Sequence, residues 1–315
     1  MTELPDSVVL CEVGPRDGFQ LEPDLIPTDT KIAIVDGLSG TGLTEIQATS
    51  FVHPRAVPQL ADAEQVMAGI RRNPDVLYSA LVPNERGAQR AIAAGVGRVD
   101  MVVSVSATHS RNNTNMMPDE AMARAGRVAA AAHDAGLTAS LGLATALGCP
   151  FEGFPAYQRI EAMVAEAVEV HGFDEIAIAD TAGLTDPGRV EEVMTGLRGR
   201  FGRVPFTLHL HDTRRMGLAN VVAGLRAGVR RFDASIGGLG GCPFSPGATG
   251  NVATEDVANL LDLLDVGTPA RLTDILGVAG TVRDALGHAD SGVLRAGTSR
   301  KPLLAAGGQE ARSSR

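Results

Sequence analysis

From Val8 onward, short runs of β-branched and aliphatic residues alternate with longer stretches in which apolar positions recur every three or four residues. The repeat is roughly 30 residues, the length of a βα unit. The pattern predicts strands at Val8–Gly14, Thr44–Phe51, Val76–Val82, Arg98–Ser106, Thr138–Leu147, Glu175–Thr181, Pro205–Thr213 and Arg231–Gly238. Helices are predicted at Thr28–Gly40, Ala61–Arg72, Glu85–Ala94, Pro118–Ala135, Ala156–Val170, Pro187–Arg200, Leu218–Ala227 and Thr254–Leu264. Strands that alternate with helices in this way run parallel, so the fold class is α/β.

Eight βα units suit a (β/α)8 TIM barrel, and a doubly wound open sheet is the competing architecture. The polar residues decide between them. Arg16-Asp17, Thr49-Ser50, Ser104–Ser106, Asp180-Thr181, His209-x-His211-Asp212 and Ser235 all fall at or just past the C-terminal ends of different strands. A barrel gathers those ends at one mouth, whereas an open sheet spreads them along a line. The barrel is therefore expected as a single domain over residues 1–290, with Pro269–His288 as extra helices packed outside it. Residues 291–315, which turn Gly-, Ser- and Arg-rich from Gly297, are expected to be a disordered tail.

The stretch Ser235–Asn251 holds six glycines and two prolines in seventeen residues, so it reads as a functional loop between the last strand and the last barrel helix. Hydrophobic residues make up 44% of the chain and charged residues 21%, a globular composition. A net charge of −9, with no basic run to follow a phosphate backbone, argues against nucleic acid. Local arginines could still hold an anionic small molecule. There is no apolar run long enough to span a membrane, and the acidic start Met1–Asp6 is not followed by a signal-type apolar segment. Cys11, Cys149 and Cys242 are odd in number and far apart, which fits neither a disulfide framework nor a thiolate zinc site. A reducing compartment and a cytoplasmic location follow as expectations.

His209 and His211 lie two apart on a predicted strand and so project to one face, where they can chelate one ion. Asp17 follows the first strand and Asn251 ends the loop after the eighth. Those strands are neighbours in a closed barrel, so both residues can reach the same ion. One carboxylate, one amide oxygen and two imidazoles suit octahedral Mg²⁺ or Mn²⁺ better than zinc. Taken alone, Asp17 in Pro15-Arg16-Asp17-Gly18 equally suits a turn residue. Cys242, between Gly240-Gly241 and Pro243, is a candidate proton donor on a mobile loop, while Cys11 and Cys149 read as buried and inert. The glycine-rich loop matches neither a dinucleotide-binding nor a Walker A pattern.

The motifs Glu12-Val13-Gly14-Pro15-Arg16-Asp17-Gly18, Thr49-Ser50-Phe51-Val52, Ala146-Leu147-Gly148-Cys149-Pro150, His209-x-His211-Asp212-Thr213 and Gly238–Asn251 closely resemble, in order, those of the 3-hydroxy-3-methylglutaryl-CoA lyases. The resemblance spans Val8 to about Ala289 and implies metal-dependent retro-Claisen cleavage of a 3-hydroxyacyl-CoA, and a homodimer. It implies that Asp17, His209, His211 and Asn251 hold the cation, that Arg16 stabilises the thioester enolate, and that Cys242 protonates the departing carbanion. Asp180 and Glu255 match further acidic positions, as outer supports or proton shuttles.

Two departures from the family pattern stand out. Gln47, in Ile46-Gln47-Ala48-Thr49, replaces an active-site carboxylate. That change is expected to remove a partner of Arg16 and to lower activity or shift the substrate. Arg214-Arg215-Met216 replaces a Tyr-Gly-Gln-type segment, so that Arg214 is either a substrate-binding cation or a solvated surface residue. Lyases for citramalyl-CoA or longer 3-hydroxyglutaryl-CoA substrates, and a metal-binding paralogue with impaired catalysis, stay open.

Overall fold

The structure, a computed structural model, describes residues 4–241 and 250–297. Eight strands form a closed barrel: β1 (Val9–Glu12), β2 (Glu45–Ser50), β3 (Leu77–Leu81), β4 (Arg98–Ser104), β5 (Thr138–Ala144), β6 (Glu175–Asp180), β7 (Phe206–Leu210) and β8 (Arg231–Ala234). Every neighbouring pair is parallel, and β8 closes on β1 with Val9 opposite Arg231 and Glu12 opposite Ala234. The open sheet is thereby excluded.

The surrounding helices are α1 (Thr28–Ser39), α2 (Ala63–Gly69), α3 (Glu85–Ala93), α4 (Ala107–Thr114), α5 (Pro118–Asp134), α6 (Tyr157–Ala165), α7 (Pro187–Arg200), α8 (Gly217–Arg226), α9 (Thr254–Leu263), α10 (Leu272–Leu286) and α11 (Gly292–Ala296). Their apolar faces pack against the outer faces of the strands, as Ile34, Val66, Val128, Val193 and Leu225 show by being buried. No described helix is long and apolar enough to cross a membrane.

Each predicted strand is present, and all eight extend less far at the C-terminal end than the apolar pattern suggests. β1 stops at Glu12 because the chain turns there, with the Asp17 amide on the Val13 carbonyl at 2.7 Å, and Gly14–Gly18 winds into a π-helical turn closed by the Phe19 amide on the Gly14 carbonyl. β5 stops at Ala144 because Thr145 takes a positive φ of 58°. β7 stops at Leu210, and His211 instead makes an isolated bridge with Asn251. Residues past the last ladder bond are free to bend, and in a barrel that is where the loops turn over the mouth.

Two expectations change. Helix α4 is hidden in the polar run Ala-Thr-His-Ser-Arg-Asn-Asn-Thr, which has no apolar period. It forms because Ser106 caps it, its Oγ accepting the His109 amide at 3.1 Å. The stretch 291–315, expected to be disordered, begins with α11. Asp256 of α9 holds that helix through Ser291 Oγ and the amides of Gly292 and Val293, at 2.8–3.0 Å. The folded chain thus continues past residue 290 to Gly297, and residues 298–315 lie outside the described residues.

Inside the barrel, the end opposite the mouth is filled with charge. Arg98 and Arg231 alternate with Glu45 and Glu175, each guanidinium within 3.2 Å of both carboxylates, and Thr207 donates to Glu175 at 2.7 Å. Cys11 lies beside this cluster. Burial, then the charges of Asp233 and Glu45, push its thiol well up, in keeping with an inert cysteine.

Candidate active site at the barrel mouth

The π-helical turn after β1 places Arg16 and Asp17 over the barrel axis. It is held down by Glu12, whose Oε1 accepts the amides of Gly14 at 2.7 Å and Ile236 at 2.9 Å, and whose Oε2 accepts Thr254 Oγ1 at 2.6 Å. One carboxylate thus ties the first turn to the turn after β8 and to α9. Gly14 is needed for that closeness, because a Cβ there would lie 2.7 Å from Glu12 Oε1 and 2.9 Å from Ile236 Cγ2. In sequence Glu12 is only a motif residue; its anchoring role appears in three dimensions.

Asp17, His209 and His211 bring one ligand atom each to within 4.8 Å of one another, the metal-type cluster found among the described residues. The Asn251 amide joins them, with Nδ2 donating to Asp17 Oδ2 at 2.8 Å and to the Leu239 carbonyl at 3.1 Å. Its Oδ1 is buried and has no hydrogen-bond partner among the described residues. An unmatched buried oxygen beside a carboxylate and two imidazoles fits a cation, because it is an acceptor that the protein itself leaves unused. Gly240 makes room for this group: a Cβ there would sit 2.6 Å from Asn251 Nδ2 and 3.3 Å from Asp17 Oδ2.

The electrostatics suit the same task. Burial pushes the Asp17 carboxyl up, but Arg16, His209, His211 and the Asn251 hydrogen bond reverse that and hold it at about 2. It is therefore a permanent anion. His209 Nδ1 is 3.0 Å from Asp233 Oδ2, so Nδ1–H donates to the carboxylate, which keeps the proton on Nδ1 and turns Nε2 toward the cluster. Burial pulls the His209 imidazolium down, and Asp233 and Asp17 outweigh it, so its net shift is upward. Sequence reasoning misses Asp233. The available signal is an acid at the centre of the apolar run Phe232-Asp233-Ala234, where carboxylates are rare unless partnered.

Arg16 is buried beside this cluster, with Nη1 donating to Asp17 Oδ1 and Nε to Gln47 Oε1. The expected loss of a partner at position 47 is therefore corrected. The amide oxygen still accepts from the arginine, and only the formal charge is absent. Asp180, at the end of β6, is pushed up to about 6 by burial, and it accepts the amides of Leu184 at 2.8 Å and Thr185 at 3.2 Å. It lies opposite Leu210, one residue past the pair of Ala179 with His209 across β6 and β7.

Other sequence candidates lie apart from the ligands. Glu255 is fully buried beneath the turn after β8, where its Oε2 accepts the Gly237 amide at 3.2 Å, and burial pushes it to about 7. Arg214 sits at the exposed rim and donates Nη1 to the carbonyls of Ala182 and Gly183, holding the loop after β6. Its neighbour Arg215 pairs with Asp212 and Asp290 and pins the C-terminal segment. Cys242 lies outside the described residues.

Residues 7–282 match the model of the HMGL-like family. The chain is 42% identical over 284 residues to the hydroxymethylglutaryl-CoA lyase YngG of Bacillus subtilis, covering 90% of this chain and 94% of the relative. It is 36% identical over 293 residues to the (R)-citramalyl-CoA lyase of Chloroflexus aurantiacus, covering 90% and 92%. The solved structure of an HMG-CoA lyase from Acinetobacter baumannii in complex with coenzyme A and 3-methylmalate superposes with a TM-score of 0.89 at 38% identity, covering 95% of this chain and 98% of that one. With a closed eight-stranded barrel and a carboxylate–imidazole cluster at its mouth, and with likeness running along nearly the whole chain, this protein belongs to the HMGL-like family.

Proposed function

We propose that this protein is a carbon–carbon lyase that cleaves 3-hydroxy-3-methylglutaryl-CoA to acetyl-CoA and acetoacetate with a divalent cation, Mg²⁺ or Mn²⁺. The observation that carries the reading is the Asp17, His209 and His211 cluster with Arg16 bonded directly to its carboxylate. Asp17, His209, His211 and Asn251 would hold the cation, which when bound polarises the substrate's tertiary hydroxyl.

Asp180, whose carboxyl burial raises to about 6, is the proposed proton shuttle of the mouth. Loss of the hydroxyl proton lets the oxygen's electron pair form the ketone of acetoacetate. The electrons of the breaking C2–C3 bond move into the thioester, whose oxygen becomes an enolate. Arg16 meets that charge with a guanidinium already oriented by Asp17 and Gln47. Cys242 is the proposed donor of the proton that converts the enolate carbon into the methyl group of acetyl-CoA. Glu255 braces the turn that precedes Cys242 in sequence. Arg214 remains the rim cation available to the acyl-CoA. A cavity of about 320 Å³ opens at the same end over β4 and β5, between Ser106, Thr145, Cys149 and Arg159.

The test is acetyl-CoA release from 3-hydroxy-3-methylglutaryl-CoA with Mg²⁺ or Mn²⁺, beside a chelator control and beside (R)-citramalyl-CoA. Metal-dependent release from the first substrate in preference to the second is expected. Preference for citramalyl-CoA would reassign the substrate, and no release from either would overturn the lyase.

A further inference from the structure

Behind Arg16 lies a chain of buried side chains that the reaction as drawn does not use. Gln47 accepts from Arg16 Nε through Oε1, and its other end, Nε2, donates to Asp100 Oδ2 at 2.5 Å. Asp100 sits in the middle of β4 and is itself held from two further directions. Ser79 Oγ of β3 donates to its Oδ2 at 2.6 Å, and Arg98 Nε donates to its Oδ1 at 2.8 Å. Gln47, Ser79, Arg98 and Asp100 are all buried. The pairing of β2 with β3 shifts register between Gln47 and Thr49, so Gln47 lies opposite Ser79 while Thr49 already faces Ala80. Such a bulge redirects the side chains beside it.

We infer that Asp100 is a positioning residue for Arg16, acting through the Gln47 carboxamide. A carboxamide is symmetric in shape and opposite in polarity at its two ends, so its orientation depends on what its ends meet. Turned by half a rotation, Gln47 would set its NH₂ against the Arg16 guanidinium, donor to donor, and its oxygen against the Asp100 carboxylate, acceptor to acceptor. With Asp100 held as an acceptor by Ser79 and Arg98, one orientation satisfies every contact. The negative charge is thereby kept one residue away from Arg16. The guanidinium is held by an acceptor on each of two sides, Asp17 Oδ1 and Gln47 Oε1, and is fixed in the orientation in which it meets the thioester oxygen. The arrangement also accounts for the neutral residue at position 47, because a carboxylate there would face Asp100 across a contact of 2.5 Å.

This inference rests on the lyase reading, and its test separates the two. Asp100→Asn, Gln47→Glu and the double variant are assayed for kcat and KM, with Mn²⁺ affinity and thermal unfolding of each. Each single variant is expected to lose about 10–100-fold in kcat, with KM changed far less and Mn²⁺ affinity near wild type. In the double variant, the amide introduced at position 100 donates to the carboxylate introduced at position 47, and that carboxylate accepts from Arg16. The polarity is restored with the charge moved, and kcat is expected within about 3-fold of wild type. Should Asp100→Asn fail to fold, Ser79→Ala, which removes one bond to Asp100, replaces it and is expected to lower kcat without changing Mn²⁺ affinity. An active wild type with Asp100→Asn unimpaired, or a double variant worse than both singles, would overturn the positioning role alone. A wild type inert toward both acyl-CoA substrates would overturn the lyase reading and the role with it.

Discussion

The barrel holds two buried polar clusters, one at each end, built from similar groups and different in what they leave over. At the closed end two carboxylates, Glu45 and Glu175, alternate with two guanidiniums, Arg98 and Arg231, and each acid touches each base. The charges balance and nothing is left for a ligand. At the mouth one carboxylate, Asp17, meets two imidazoles and an amide, and the Asn251 oxygen has no hydrogen-bond partner among the described residues. A set that satisfies itself is structural, whereas a set that leaves a buried acceptor without a donor has room for a ligand.

The comparison breaks most sharply at His211. His211→Ala is expected to weaken Mn²⁺ binding by more than about 100-fold and to abolish metal-dependent turnover. Its melting midpoint should stay within about 3 °C of wild type, because His211 lies past the last residue of β7 and its main-chain bridge with Asn251 does not depend on the side chain. Titration calorimetry and a melting curve together check this, and wild-type metal affinity in the variant would remove His211 from the ligand set.

Glu175→Gln should behave in the opposite way. It leaves Arg98 and Arg231 short of a carboxylate in a buried cluster, at a cost of about 3–5 kcal/mol in denaturant unfolding. Turnover per folded molecule should change by less than about 2-fold, since Glu175 is bonded to Arg98 Nη1 while Arg98 holds Asp100 through Nε. Reduced turnover at full stability would show that the two clusters are coupled.

Around the turn after β8 lie Glu12 and Glu255, both pushed by burial to about 7. A carboxyl raised in this way binds its proton more tightly in the folded state. Its stabilising effect is full below the unfolded value of 4.5 and is lost as pH rises through about 7. Replacing Glu255 by Gln should remove on the order of 3 kcal/mol of that decline, read from unfolding curves between about pH 4.5 and 7.5. A slope equal to wild type would mean that Glu255 keeps its charge in the folded protein.

Much of the site is legible in residue order. Arg16-Asp17, His209-x-His211 and Asn251 fall at strand ends, and parallel strands bring those ends together in any closed barrel. Asp233 and Asp100 are not legible, because an acid in the middle of a buried strand shows that it must have a partner and not which one. The partner of Asp233 is set by register, which puts it opposite His209 across β7 and β8. That of Asp100 is set by the bulge in β2. The consequence of Gln47 is misread from sequence for the same reason: a substitution looks like a lost charge until the neighbouring strand supplies one.

What the chain alone determined was the alternation of strand and helix, the eightfold count and the residue types delivered to the mouth, because these follow from local periodicity and the direction of parallel strands. Helix α4 and the docking of α11 needed the tertiary structure, since each depends on single capping bonds rather than on an apolar stripe. So did the choice of which buried acid serves which base. Those pairings join residues as far apart in sequence as Glu45 and Arg231, and only strand register brings them within reach of one another.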